Sequence, residues 1–345
     1  HANTLADPDN PQSYTYVVPA GVTLMGGYTE TFSERERNAM TYRTFLSAEA
    51  VPTQGSTITQ NVTGYHTVTF GEWPGTGALS DKPAVIDGLW LTDGSATSMS
   101  GTGNPATRGG GAIVPAGAHV RNCVVTGCEA TEGGGLYVLP GGVVSGTAVL
   151  GNTATTGGGI YAANADADGT AVTAATRAHL VSCTVADNTA TTGGGIYLED
   201  GALMAVNCVV WGNTAPQEKN VSGVVGTRFA DEVWSTVFGT GSAEYYPFNN
   251  SFVETREMPS DFENASMESD HELYFADDLR RLKDYSPLIK HGVRNDYQKA
   301  LVRELDVAEH DMQGIARNQS NNGAERLDAG AFAYEGGVLP QDLFT

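Results

Sequence analysis

Apolar positions in the middle of this chain come in runs too short for a helix. Between Ala84 and Ala215 they form β-branched triplets and quartets: Cys123-Val-Val125, Thr147-Ala-Val-Leu150, Cys183-Thr-Val185 and Cys208-Val-Val-Trp211. Glycine or aspartate follows each run within two residues. No helix of ten residues fits between the glycines, so the pattern predicts strands joined by tight turns. The runs also recur. In register, the phrases Asp93-Gly-Ser-Ala-Thr97, Gly127-Cys-Glu-Ala-Thr131, Gly151-Asn-Thr-Ala-Thr155, Asp187-Asn-Thr-Ala-Thr191 and Gly212-Asn-Thr-Ala215 line up. A triple glycine follows the first four, beginning at Gly109, Gly133, Gly157 and Gly193. The step is 24 residues twice and then 36, so the last step carries an insert.

A fixed period of this size marks a solenoid, in which no repeat buries its apolar face alone. One period suffices for about three short strands and three turns at ~3.3 Å per strand residue. That is one coil of a right-handed single-stranded parallel β-helix, an all-β fold. Stacking at ~4.8 Å puts equivalent positions above one another. Leu89, Cys123, Thr147, Cys183 and Cys208 then form one inward column of compact side chains. Asn152, Asn188 and Asn213 form another, below Gly94 and Cys128. Asparagine suits a left-handed turn, and stacked amides hydrogen-bond up a column.

Three segments follow from the pattern. Residues 1–83 hold a polar lead-in and early coils, with strand patterns at Tyr14–Tyr28, Ser56–Thr59 and Tyr65–Phe70. Thr29–Arg43 between them is a loop or short helix. Residues 84–225 are the regular array, interrupted at Ser98–Arg108 and between Tyr161 and His179. Inserts of this kind map to one face of a solenoid, often the binding face. Residues 226–345 hold irregular strands near Thr236 and Tyr245–Phe252, then an acidic tail with helical stretches such as Phe275–Leu282. An open solenoid end needs a cap, and the tail is the expected one.

Composition narrows the function. The 345 residues include 43 glycines, only 17% are charged, and 19 basic against 40 acidic residues give a formal net charge of -21. Nucleic acid needs a basic footprint, so it is excluded as a partner, as are anionic membrane surfaces. No apolar run is long enough for a membrane-spanning helix. The chain opens on His1 without a signal peptide, which reads as a mature or excised segment. Cys183 and Cys208 fall on adjacent coils at a separation compatible with a disulfide, while buried thiols serve equally as small apolar residues. No zinc-type cysteine pair occurs.

Motifs at both ends carry a resemblance. Gly21-Val-Thr-Leu-Met-Gly-Gly-Tyr28 with Glu34 and Arg35 is similar to an opening motif. Ser286-Pro-Leu-Ile289, Gly292, Asp311, Gly314, Arg317 and Leu327-Asp-Ala-Gly-Ala-Phe-Ala-Tyr-Glu335 are similar to a closing one. With the Gly-Gly-x-Ile and Asn rhythm between them, the chain resembles the parallel β-helix repeat proteins of Bacteroidetes surfaces, of the polymorphic outer-membrane and choice-of-anchor type. The resemblance implies export to the cell surface or the extracellular space and an adhesin-like role. It implies no particular activity.

The candidate chemistry is sparse. Tyr137, Tyr161 and Tyr197 share one column under Ile113. If Leu136, Ile160 and Ile196 point inward, the tyrosines point outward, either as a stripe for sugar rings or as a packed stack under an insert. Asn164, Asp166, Asp168 and Thr170, around Gly169, resemble the first half of a calcium loop. The twelfth position is Ala175, so an acidic turn is the plainer account, and no other cofactor is implied. Asp87 and Arg121 fall in register as a cross-coil ion pair. No convergent carboxylate set of the kind a lyase or hydrolase needs is visible. The expectation is a non-catalytic binder of polysaccharide, surface glycan or protein. The alternatives are a pectin-active type of lyase or hydrolase, and a structural spacer.

Overall fold

The computed structural model describes residues 9–31, 37–51, 61–71, 82–97, 105–165, 177–199 and 203–215. Beyond these it describes short pieces, chiefly strand segments between 233 and 327 and residues 310–313 and 330–331.

The chain is a parallel β-helix. Four sheets run along it, and each regular coil gives one strand to each. Sheet 1 contains Thr23–Met25, Ala84–Asp87, Ala118–Arg121, Val143–Ser145, Ala178–Val181, Leu203–Val206 and Phe248–Asn249. Sheet 2 contains Phe45–Ser47, Trp90–Thr92, Val124–Thr126, Ala148–Leu150, Thr184–Ala186, Val209–Trp211, Phe252–Glu254 and Ser266–Met267. Sheet 3 is shorter: Ser95–Ala96, Glu129–Glu132, Thr153–Thr156 and Thr189–Thr192. Sheet 4 contains Tyr14–Val18, Val68–Phe70, Ala112–Val114, Leu136–Val138, Ile160–Ala162, Ile196–Leu198 and Val233–Ser235, with Thr4–Leu5 antiparallel at its edge. Apart from that edge strand, neighbours along these stacks are parallel and stack in register, for example Tyr137↔Tyr161↔Tyr197.

The regular coil therefore has four strands where three were expected. The extra one is the Thr-Ala-Thr phrase, which runs extended with its alanine turned inward. Ala190 is buried between exposed Thr189 and Thr191, and Ala130 between exposed Glu129 and half-buried Thr131. The inner columns match the expected stacking. Leu89, Cys123, Cys183 and Cys208 lie in the core with Leu136, Ile160, Val149 and Val185, and Thr147 is equally buried. Such burial is worth roughly 1.5–3 kcal/mol per large apolar side chain. All four cysteines are free thiols. Burial pushes the Cys123 and Cys128 thiols up to about 12, so they behave as apolar packing groups.

The asparagine column forms as an amide ladder. Asn152 Nδ2 donates to Asn188 Oδ1 at 3.0 Å and Asn188 Nδ2 to Asn213 Oδ1 at 2.8 Å. Each amide also ties its coil to the preceding one, as Asn188 Nδ2 donates to Val149 O at 2.9 Å. The left-handed residue of the turn is not the asparagine. It is the residue before it: Asp93, Gly127, Gly151, Asp187 and Gly212 all have φ between 57° and 67°. The reason is direction, since the amide must point inward to reach the next coil while its predecessor turns the backbone.

The triple glycine makes the corner between sheets 3 and 4. Its first member has positive φ, 67° at Gly157. The second is there for space, because a Cβ on Gly158 falls 2.4 Å from Gly194 O and 2.6 Å from Thr189 O. In the first coil the same corner is taken by His66, whose Nδ1 lies 2.8 Å from Gly109 O.

Strands Tyr14–Val18, Thr23–Met25, Val68–Phe70, Phe248–Asn249 and Phe252–Glu254 match expected strand regions. Within Thr29–Arg43, residues 29–31 and 37–43 contain no helix. Ser56–Thr59, Thr236 and the helical stretch Phe275–Leu282 lie outside the described residues. Residues 310–313 and 330–331 of the tail lie along the flank of sheet 2. Ala39 N donates to Met312 O at 2.9 Å, and Ala331 N to Thr184 Oγ1 at 2.9 Å. Asp311 is buried, and its Oδ1 accepts from the backbone N–H of Gln313 and Ile315 at 2.8 and 2.9 Å. Its place in the closing motif is thus to hold a loop.

Candidate functional site

The tyrosine column sits on the outer side of sheet 4. Strand alternation sends Leu136, Ile160 and Ile196 inward, and Tyr137, Tyr161 and Tyr197 outward. In-register stacking brings the rings into contact: centroids are 4.9 Å apart between Tyr137 and Tyr161, and 4.7 Å between Tyr161 and Tyr197. Both faces of Tyr161 are therefore occupied by its neighbours. Exposure rises along the column, from 3% at Tyr137 to 7% at Tyr161, with Tyr197 half-buried. Backbone register places Trp234 next in line, opposite Tyr197.

Charged groups close the column at its flanks. The Arg108 guanidinium lies 4.6 Å from the Tyr137 ring centroid, and its Nε meets Glu132 Oε2 at 2.9 Å. Glu199 is the link that sequence reasoning missed. Tyr161 Oη donates to Glu199 Oε1 at 2.6 Å, and the Asn164 backbone N–H donates to Oε2 at 2.7 Å. One carboxylate thus joins the tyrosine column to the first residue of the candidate calcium loop. Asp166, Asp168 and Thr170 of that loop lie outside the described residues. A signal for Glu199 existed: the position two beyond each tyrosine is Leu139, Ala163 and then Glu199, the one acidic residue in an apolar column.

Burial, with Glu199 and Glu132 nearby, pushes the Tyr197 phenol up to about 12. Burial and Glu199 raise Tyr161 further, and burial raises Tyr137. These phenols are hydrogen-bond donors at neutral pH, not bases.

Asp87 and Arg121 do pair, at 2.8 Å, and Arg37 binds the other Asp87 oxygen at 2.7 Å. Asp87 is buried beneath both guanidiniums, which pin the first coil's loop to the second and third coils. Among the described residues no group of three or more His, Cys, Asp or Glu side chains converges as metal ligands.

Sheet 3 has a different outer surface. One column reads Ser95, Glu129, Thr153, Thr189, and its neighbour reads Thr97, Thr131, Thr155, Thr191. Thr214 extends the first by a bridge to Thr189. Glu129, Thr153, Thr155, Thr189, Thr191 and Thr214 are exposed. Glu132, Thr156 and Thr192 edge this face beside the tyrosine column.

Comparison of the chain with protein-family models, with curated proteins and with solved structures finds no match in any of the three.

Proposed function

We propose that this protein is a non-catalytic binding solenoid of adhesin type, exported to a bacterial cell surface, that holds an extended neutral glycan along its sheet 3 face. The observation that carries the reading is the distribution of polar groups. Among the described residues, four coil carboxylates are engaged: Asp87 by two arginines, Glu132 by Arg108, Glu199 by Tyr161 and Asn164, Glu129 by Ser95. Acid–base cleavage of a glycosidic bond uses carboxylates facing each other across the bond. The hydroxyl columns, by contrast, stand exposed at a constant repeat, which suits a polymer with its own repeat.

The tyrosines support this face from its corner. Tyr161 offers no free ring face to a sugar, whereas Tyr197 is only half-buried. Charge selects against acidic polymers, since a polyuronate meets Glu132 and Glu199, and Arg108 is already held by Glu132.

The test is a panel of neutral and acidic polysaccharides, with calcium and with chelator, reading binding together with new reducing ends or unsaturated products. The expected result is binding of a neutral polymer without product, weakened about tenfold or more by Thr155→Lys with Thr191→Lys, a loss of about 1.4 kcal/mol. Loss of binding with chelator assigns calcium to the Asn164 loop. Product formation overturns the reading and directs attention to Asp87 and Arg121. Absence of binding across the panel leaves a structural spacer.

A further inference from the structure

We propose that the C-terminal segment is a longitudinal clasp, coupling the first coil to the sixth through residues 310–313 and 330–331. The reason begins in the sequence of sheet 2. A strand facing water on one side alternates apolar and polar residues, but a strand covered on both sides is apolar throughout. Sheet 2 reads Val124-Val, Ala148-Val-Leu150, Val209-Val-Trp211. Its inner residues Leu91, Val125, Val149 and Val185 fill the core. Its outer residues Trp90, Val124, Ala148, Leu150 and Ala186 form a second cluster, and the tail residues Met312 and Ala331 belong to it. Met312 is 3% exposed and Ala331 fully buried.

Hydrogen bonds fix both ends. At the first coil, Asn38 Nδ2 donates to Gln313 O at 3.0 Å and Ala39 N to Met312 O at 2.9 Å. Trp90 Nε1 donates to Ala39 O at 3.2 Å, carrying the contact into the second coil. At the third, Asn122 Nδ2 donates to His310 O at 3.2 Å. At the fifth and sixth, Ala331 N donates to Thr184 Oγ1 and Gly330 N to Asn207 O at 2.8 Å. A simple solenoid has only nearest-neighbour coupling, so its ends fray independently. A tail bonded to the first coil and to the fifth and sixth imposes a coupling beyond nearest neighbours. It also covers an apolar strip that otherwise faces water.

The experiment is hydrogen exchange and urea unfolding on the full chain with Met312→Ala, Ala331→Gly and the double variant. The clasp predicts that Met312→Ala, placed at the first coil, speeds exchange in Val209–Trp211 of the sixth by about tenfold. Ala331→Gly does the same in Phe45–Ser47. It also predicts non-additivity: the double variant's unfolding constant falls short of the product of the singles by about threefold or more. Exchange changes confined to the mutated end, with multiplicative singles, overturn the clasp and leave two local contacts. If the double variant does not fold, the two single variants decide through exchange at the distant end.

Discussion

Sheets 2 and 3 are built by the same coils, at the same spacing, one turn apart, yet their outer faces have opposite fates. Sheet 2 carries Trp90, Val124, Ala148 and Leu150 outward and is sealed by Ala39, Met312 and Ala331. Sheet 3 carries Thr153, Thr155, Thr189 and Thr191 outward and stays exposed. The hinge between them is the Asn152–Asn188–Asn213 ladder, fully inside. Regular stacking thus makes columns but does not decide what a column is for. That depends on whether another part of the chain lies over it.

The comparison breaks most completely at the far corner of sheet 3. Gly158→Ala puts a methyl 2.4 Å from Gly194 O, and we expect a loss of about 4 kcal/mol, seen as a shifted urea midpoint. A variant within error of wild type would mean that the corner yields and that glycine is not needed for space. Next is the hinge. Asn188→Ala removes an acceptor for two bonds from Asn152 and two donated bonds, to Val149 and Asn213. Buried partners are left unmade, so about 3 kcal/mol should be lost. The exchange of both flanking sheets should rise together.

Acid gives a third handle, at the same corner in the first coil. Burial lowers His66 from 6.5 to about 4. Between those values the unfolded chain takes up a proton that the folded chain refuses. Stability is therefore full above about pH 6.5, falls as pH drops toward 4, and loses about 3 kcal/mol from this group. His66→Gln should flatten that slope in urea titrations at pH 7 and pH 4.5. An unchanged slope would place the acid sensitivity elsewhere.

The smallest effects sharpen the contrast most directly. Val124→Thr on the covered face should cost about 1–2 kcal/mol, since its hydroxyl is buried against an apolar tail. Thr155→Val on the open face should stay within about 0.5 kcal/mol, yet weaken glycan binding if the hydroxyl columns are the ligand face. Equal stability costs at the two sites would show that the faces are covered alike.

Much of this was readable in advance, and the misses have physical causes. The Cys123 and Asn188 columns follow from period alone, because unshifted parallel strands convert sequence spacing into vertical stacking. The fourth strand was hidden because Asn-Thr-Ala-Thr reads as turn chemistry until Ala154 and Ala190 are seen to need an inward direction. The tyrosine column had two sequence readings, a stripe for sugar rings or a packed stack, and only the ring contacts in the structure choose the stack. Glu199 was overlooked because one acidic residue in a variable position carries little weight before Tyr161 and Asn164 converge on it. The tail was expected at the solenoid's end, where Ser266–Met267 does add the last strand of sheet 2, whereas residues 310–313 and 330–331 lie on a flank.

By itself, then, the sequence determined the parallel β-helix and its inner columns, because these depend only on neighbours one period apart. The tertiary structure alone decided which outer faces are sealed, which carboxylates are engaged and where the tail rests. Those contacts join residues as distant as Asn38 and Gln313, and no local period encodes a partner so far along the chain.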